Sequence, residues 1–99
     1  MKFIDNYIQQ IIDLCKKHRV KSLYAFGSVL TPKFNADSDI DLLVDFNAIA
    51  AEDYFDNYYS LKESLENIFQ REVDLVEDKG IRNNVFRRVV DRTKQIIYG

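Results

Sequence analysis

Apolar positions along the chain recur first at helical and then at strand spacing. Within residues 3–18, Ile4, Ile8, Ile11, Ile12 and Cys15 repeat at three- to four-residue intervals, with Tyr7 beside them. That spacing predicts a helix with one core-facing side. Val20–Phe26 contains the strand formers Leu23, Tyr24 and Phe26 and is broken by Gly27-Ser28. Residues 31–38 hold the only proline, Pro32, with Asn35 and Asp37, and read as a loop. Residues 39–46 form the clearest strand. Ile40, Leu42, Val44 and Phe46 fall on one face; Asp39, Asp41, Leu43 and Asp45 fall on the other. A second helix is predicted over residues 50–69, with Tyr54, Tyr58, Leu61, Leu65 and Ile68 as its buried stripe. Residues 72–76 predict a third strand, with Val73 and Leu75 opposite Asp74. Beyond Gly80, residues 81–92 predict a last helix built around Val85, Phe86, Val89 and Val90. Gln95–Tyr98 reads as a final short strand or an extended tail.

This order implies one α/β (α+β) domain over residues 1–99, a small mixed sheet with helices packed on it. No repeat or linker interrupts it. Apolar residues make up 46% of the chain and charged residues 30%, the balance of a globular protein. The net charge of -2 supplies no basic field, so direct binding of nucleic acid is not expected. The single cysteine, Cys15, excludes an intrachain disulfide; with no histidine paired to it, it is expected in the core. No stretch approaches the roughly 18 apolar residues of a membrane span. A cytoplasmic protein with no membrane contact is the expectation.

Three features carry chemistry. Gly27-Ser28 follows a strand directly; Asp39 and Asp41 flank one residue of the next strand; Asp74 stands alone between apolar residues of the third. Alternation puts Asp39 and Asp41 on the same side, about 7 Å apart along the backbone. A triphosphate is polyanionic, so carboxylates can bind it only through cations. Mg²⁺ prefers oxygen ligands and usually takes one or two carboxylates plus substrate phosphates. Two such ions can clamp the attacking and leaving oxygens of an in-line displacement. Glycine before Ser28 lets the backbone approach a phosphate closely, and the serine hydroxyl and nearby N–H groups can donate to it. A calcium loop is excluded: Asp37, Asp39 and Asp41 fit its first three ligand positions, but Leu42 stands where glycine is needed and Ala48 where glutamate is needed.

Phe26-Gly27-Ser28, followed by Asp37-Ser38-Asp39-Ile40-Asp41-Leu42-Leu43-Val44, resembles the signature of the DNA polymerase β-like nucleotidyltransferases. More narrowly, it resembles their minimal (MNT) members. Val73-Asp74-Leu75-Val76 is similar to the family's third-carboxylate strand, and the likeness extends over essentially the whole chain. The resemblance implies a polymerase β palm-like fold. It implies Asp39, Asp41 and Asp74 as catalytic metal ligands, with two Mg²⁺ (or Mn²⁺) ions, and Gly27, Ser28 and Ser38 at the nucleotide. It further implies transfer of AMP from ATP to a hydroxyl, a tyrosine of a HEPN-domain toxin, in a toxin–antitoxin pair. Asp74 is also the candidate to deprotonate that hydroxyl.

One departure stands out. Relatives follow Gly-Ser with basic residues and a second glycine, whereas this chain has Val29-Leu30-Thr31-Pro32. Lys33, Arg82, Arg87 and Arg88 are the candidate replacements. Two alternatives follow: an antitoxin that occludes its partner without catalysis, and an adenylyltransferase acting on a small molecule such as an aminoglycoside. The short chain has no lobe to hold an acceptor, which favours a protein that brings its own surface. Arg82, Arg87, Arg88 and Arg92 form either a docking face for an acidic partner or a solvated helix face. Tyr54, Tyr58 and Tyr59 are expected in or at the edge of the core, and His18 near a helix end.

Overall fold

The computed structural model describes all of residues 1–99. Two short helices, α1 (Lys2–Asp5) and α2 (Ile8–Lys17), precede strand β1 (Val20–Phe26) and a 3-10 turn at Gly27–Leu30. Strand β2 (Ile40–Phe46), helix α3 (Ala51–Phe69) and strand β3 (Val73–Glu77) follow. A second 3-10 turn, helix α4 (Asn84–Thr93) and strand β4 (Gln95–Tyr98) complete the chain. The sheet order is β3-β2-β1-β4. β1 is antiparallel to both β2 and β4, while β2 and β3 run parallel. Parallel neighbours need a long crossover, and the 19 residues of α3 supply it.

Alternation divides the core into two layers. Ile40, Leu42, Val44 and Phe46 of β2 join Leu23 and Ala25 of β1 under α2 and α3, contacting Ile11, Cys15, Leu61, Leu65 and Phe69. Leu43 points the other way and packs with Phe26 and Val90, under α4. Cys15 lies in the first layer, where burial pushes its thiol up to about 12.

The structure corrects several expectations. The helix over residues 3–18 breaks at Asn6-Tyr7, where the Tyr7 amide bonds back to Ile4 O at 2.9 Å. The break brings both Phe3 and Tyr7 rings onto Phe69, at 5.7 and 5.4 Å between centroids. Asp39 lies one residue before β2. Tyr54 and Tyr58 sit at the core edge as expected, but Tyr59 is exposed. On α4 only Val90 is buried; Val85, Phe86 and Val89 face solvent. His18 caps α2 and is buried, with Nδ1 2.8 Å from Leu14 O and Nε2 3.0 Å from Ser60 Oγ. It stands at the helix end as expected, and its ring ties α2 to α3.

Candidate active site

The sheet register assembles the carboxylates. Asp41 on β2 stands directly opposite Asp74 on β3, and adjacent strands lie about 4.8 Å apart. Asp39, two residues before Asp41, is exposed, as is Asp74, while Asp41 is half-buried. Burial pushes the Asp41 carboxyl above its ordinary value, and the charges of Asp74 and Asp39 push it further in that order. The three side chains that the sequence places in one site are therefore near enough to repel one another.

The Gly-Ser turn belongs to the same structure. Phe26, the last residue of β1, pairs with Asp41, so the next residue of the turn lies beside that carboxylate. Gly27 has φ +74°, a left-handed conformation that side chains resist. A Cβ there would overlap Asp41 Oδ2 and lie 3.3 Å from its Cγ. Glycine is thus required twice, by its own backbone and by the carboxylate resting on it. After it, the Thr31 amide and hydroxyl both donate to Ser28 O at 2.9 Å, closing the turn. The Ser28 hydroxyl takes no part in these bonds.

Ser38 is placed differently. Its hydroxyl accepts from the Asn35 amide at 3.1 Å and its carbonyl accepts from Arg71, so it shapes the loop that ends at Asp39. Arg71 is a residue that sequence reasoning missed. Its Nη1 donates to Asn35 O at 3.0 Å and Ser38 O at 2.9 Å. Its guanidinium lies 4.7 Å from the centroids of both the Phe3 and Phe34 rings. The loop before Asp39 is thereby pinned to α1 and to the start of β3. Lys62 was also missed. It lines a polar hollow of about 350 Å³ with Asp39, Glu66, Glu72, Val73 and Asp74. Helical spacing from Glu66, its partner at 3.3 Å, was the only signal in the sequence.

The donor set is all oxygen, and repulsion among the carboxylates makes a hard cation welcome between them. No three acidic, histidine or cysteine side chains enclose an ion by themselves. Mg²⁺ keeps waters and substrate phosphates among its ligands, so protein carboxylates need supply only part of its shell. The residues present therefore fit a divalent ion delivered with a nucleotide. Of the candidate cations, Arg87 is engaged by Asp78 at 2.7 Å and Asp91 at 3.5 Å, which removes it from the candidates. Val29, the residue after Gly27-Ser28, is buried against the core.

The chain was compared with known proteins. The profile of the family described as "Polymerase beta, Nucleotidyltransferase" matches residues 9–99. MJ1379 of Methanocaldococcus jannaschii, provisionally named a protein adenylyltransferase, is 34% identical over 83% of this chain and 79% of its own. Protein adenylyltransferase MntA of Thermococcus cleftensis is 28% identical over 87% of this chain and 81% of its own. Among solved structures, one provisionally described as a minimal nucleotidyltransferase superposes with a TM-score of 0.78 at 28% identity, covering 95% of this chain and 92% of that one. A complex described as a tri-AMPylated Shewanella oneidensis HEPN toxin with an MNT antitoxin gives 0.65 at 20% identity, covering 96% and 71%. The last likeness shows the fold alone.

Proposed function

The chain belongs to the polymerase β nucleotidyltransferase family, and from that premise we propose that it transfers AMP from ATP to a tyrosine hydroxyl of a HEPN-type toxin, acting as its antitoxin. The observation that carries this reading is the packing of Asp41 on Gly27, opposite Asp74 and beside Asp39. That contact joins a phosphate-approaching turn to a carboxylate cluster. The names of the relatives support AMP as the transferred group, and the AMPylated HEPN toxin of the Shewanella complex supports the acceptor.

Each residue has a task in this reading. Gly27 gives the triphosphate close access to the backbone, and the unengaged Ser28 hydroxyl donates to it. Asp39 and Asp41 would hold the divalent ions, with Asp74 completing the set from the neighbouring strand. Two Mg²⁺ ions bound there would supply charge neutralisation for the transfer. The acceptor oxygen forms a bond to the α-phosphorus as the bond to the bridging oxygen breaks, and pyrophosphate leaves. The hydroxyl proton passes to a carboxylate, for which Asp74, exposed on β3, is best placed. Arg71 acts at a distance, by holding the loop that presents Asp39.

The buried Val29 favours a second reading, occlusion of the toxin without chemistry, because that position offers no cation to the phosphates. The two readings separate in one assay. ATP labelled at the α-phosphate is incubated with Mg²⁺, this protein and a HEPN-type toxin encoded beside it. Label on the toxin, lost in Asp39→Ala, supports transfer. An unlabelled toxin that is still neutralised, by Asp39→Ala as well as by wild type, overturns it.

A further inference from the structure

Two helices carry exposed stripes of opposite charge. On α3, Glu52, Phe55, Asp56, Tyr59 and Glu63 are related by three- and four-residue spacings (52/55/59/63 and 52/56/59/63) and share one helical face. All five are exposed, Phe55 at 71% and Tyr59 at 59%. On α4, Val85, Arg88, Val89 and Arg92 form a second such stripe, with Val85 61% and Val89 43% exposed. Arg82 is exposed just before that helix. None of these carboxylates or arginines has an ion-pair partner within its own chain, although Arg87, Asp91, Lys62 and Glu66 on the same helices do.

The stripes lie on opposite sides of the molecule. α3 packs on the sheet face formed by Leu42, and α4 on the face formed by Leu43. They cannot meet within one chain. The α4 stripe, about 11 Å at 1.5 Å per residue, is shorter than the α3 stripe, about 16 Å, and can lie within it.

We propose that these stripes form a head-to-tail interface between copies of this chain, the acidic aromatic face of α3 receiving the basic apolar face of α4. The occupant is a second copy because the complementary charge and apolar side chains are both present in this sequence. Phe55 and Tyr59 fill the space around Val85 and Val89, while Arg88 and Arg92 face Glu52, Asp56 and Glu63. Exposed ion pairs contribute little individually and are screened by salt, so the apolar contact provides adhesion and the charges set register and orientation. Each copy keeps one free face, so the contact builds chains or rings instead of closing as a symmetric dimer.

Sedimentation velocity tests this with three proteins: wild type, a variant with Arg88→Glu and Arg92→Glu, and a variant with Glu52→Lys, Asp56→Lys and Glu63→Lys. Circular dichroism confirms that each folds. If the lysine variant loses helix, Glu52→Gln, Asp56→Asn and Glu63→Gln takes its place. Wild type should gain average mass between micromolar and near-millimolar concentration. Each variant alone should remain monomeric. Mixed, they should associate again, because the acidic faces of the first variant meet the basic faces of the second. A wild type that stays monomeric throughout, a variant that associates alone as wild type does, or a mixture that does not associate would each overturn the proposal.

Discussion

At Gly27 a single hydrogen atom decides whether the site exists. Gly27→Ala places a methyl group in a left-handed backbone and against Asp41 Oδ2. The strain should cost about 1–2 kcal/mol of stability. The displaced carboxylate should lower the transfer rate by roughly 100-fold, as ångström-scale misplacements do; thermal melts and initial rates read the two effects separately. Asp41 itself should show a trade between stability and function. Its folded pKa is raised, so in the metal-free chain its contribution to stability falls as pH rises through that range and stays low at neutrality. Asp41→Asn should therefore raise the Tm of the metal-free protein by a few degrees at pH 7 while abolishing transfer. The gain should vanish in acid, where the wild-type carboxyl is also neutral. A melting series with pH that shows the reverse slope would refute this. The aspartates were legible in the sequence because alternation along a strand is local. The Gly27–Asp41 contact was not, since it depends on the register of β1 against β2.

Whole elements show where the sequence pattern succeeds and fails. The strands were legible to within a residue, because their apolar faces are continuous. The last helix misled: Val85, Phe86, Val89 and Val90 have the same apolar character, but only Val90 is buried with Phe26 and Leu43, while Phe86 meets the Phe26 ring edge-on from a half-exposed position. Nothing local distinguishes them. Arg71 was hidden for the same reason, since the carbonyls it binds lie 36 and 33 residues away. Arg71→Ala should cost about 1–3 kcal/mol and free the loop before Asp39. Half-maximal transfer should then need more Mg²⁺, with KM for MgATP rising more than kcat falls; a simple loss of folded protein would leave both unchanged per active molecule. The outer edge of β3 is closed by α3, where Glu66 accepts from the Val73 amide at 3.1 Å and the Tyr58 hydroxyl donates to Leu75 O. Hydrogen bonding from Val73 holds the Glu66 carboxyl below its ordinary value of 4.5. A lowered folded pKa gives stability that is complete above that value and is lost as pH falls through the folded pKa. Glu66→Gln should flatten the acid limb of a pH–Tm curve, and an unchanged limb would show that the bond does not matter there.

At the scale of the whole molecule, three carboxylates and a glycine turn stand together at one end of the sheet, and the helices leave acidic and basic faces outward. No helix is long and apolar enough to cross a membrane. Everything at this scale rests on one claim, that the carboxylate cluster moves a nucleotide onto a protein. Intact mass spectrometry of a HEPN-type toxin encoded beside this chain, after incubation with it, ATP and Mg²⁺, tests that claim most directly. The toxin should become heavier by one or more AMP units, and remain unchanged when Asp41→Asn replaces wild type. An unmodified toxin held in a stable complex with the wild-type protein would contradict it.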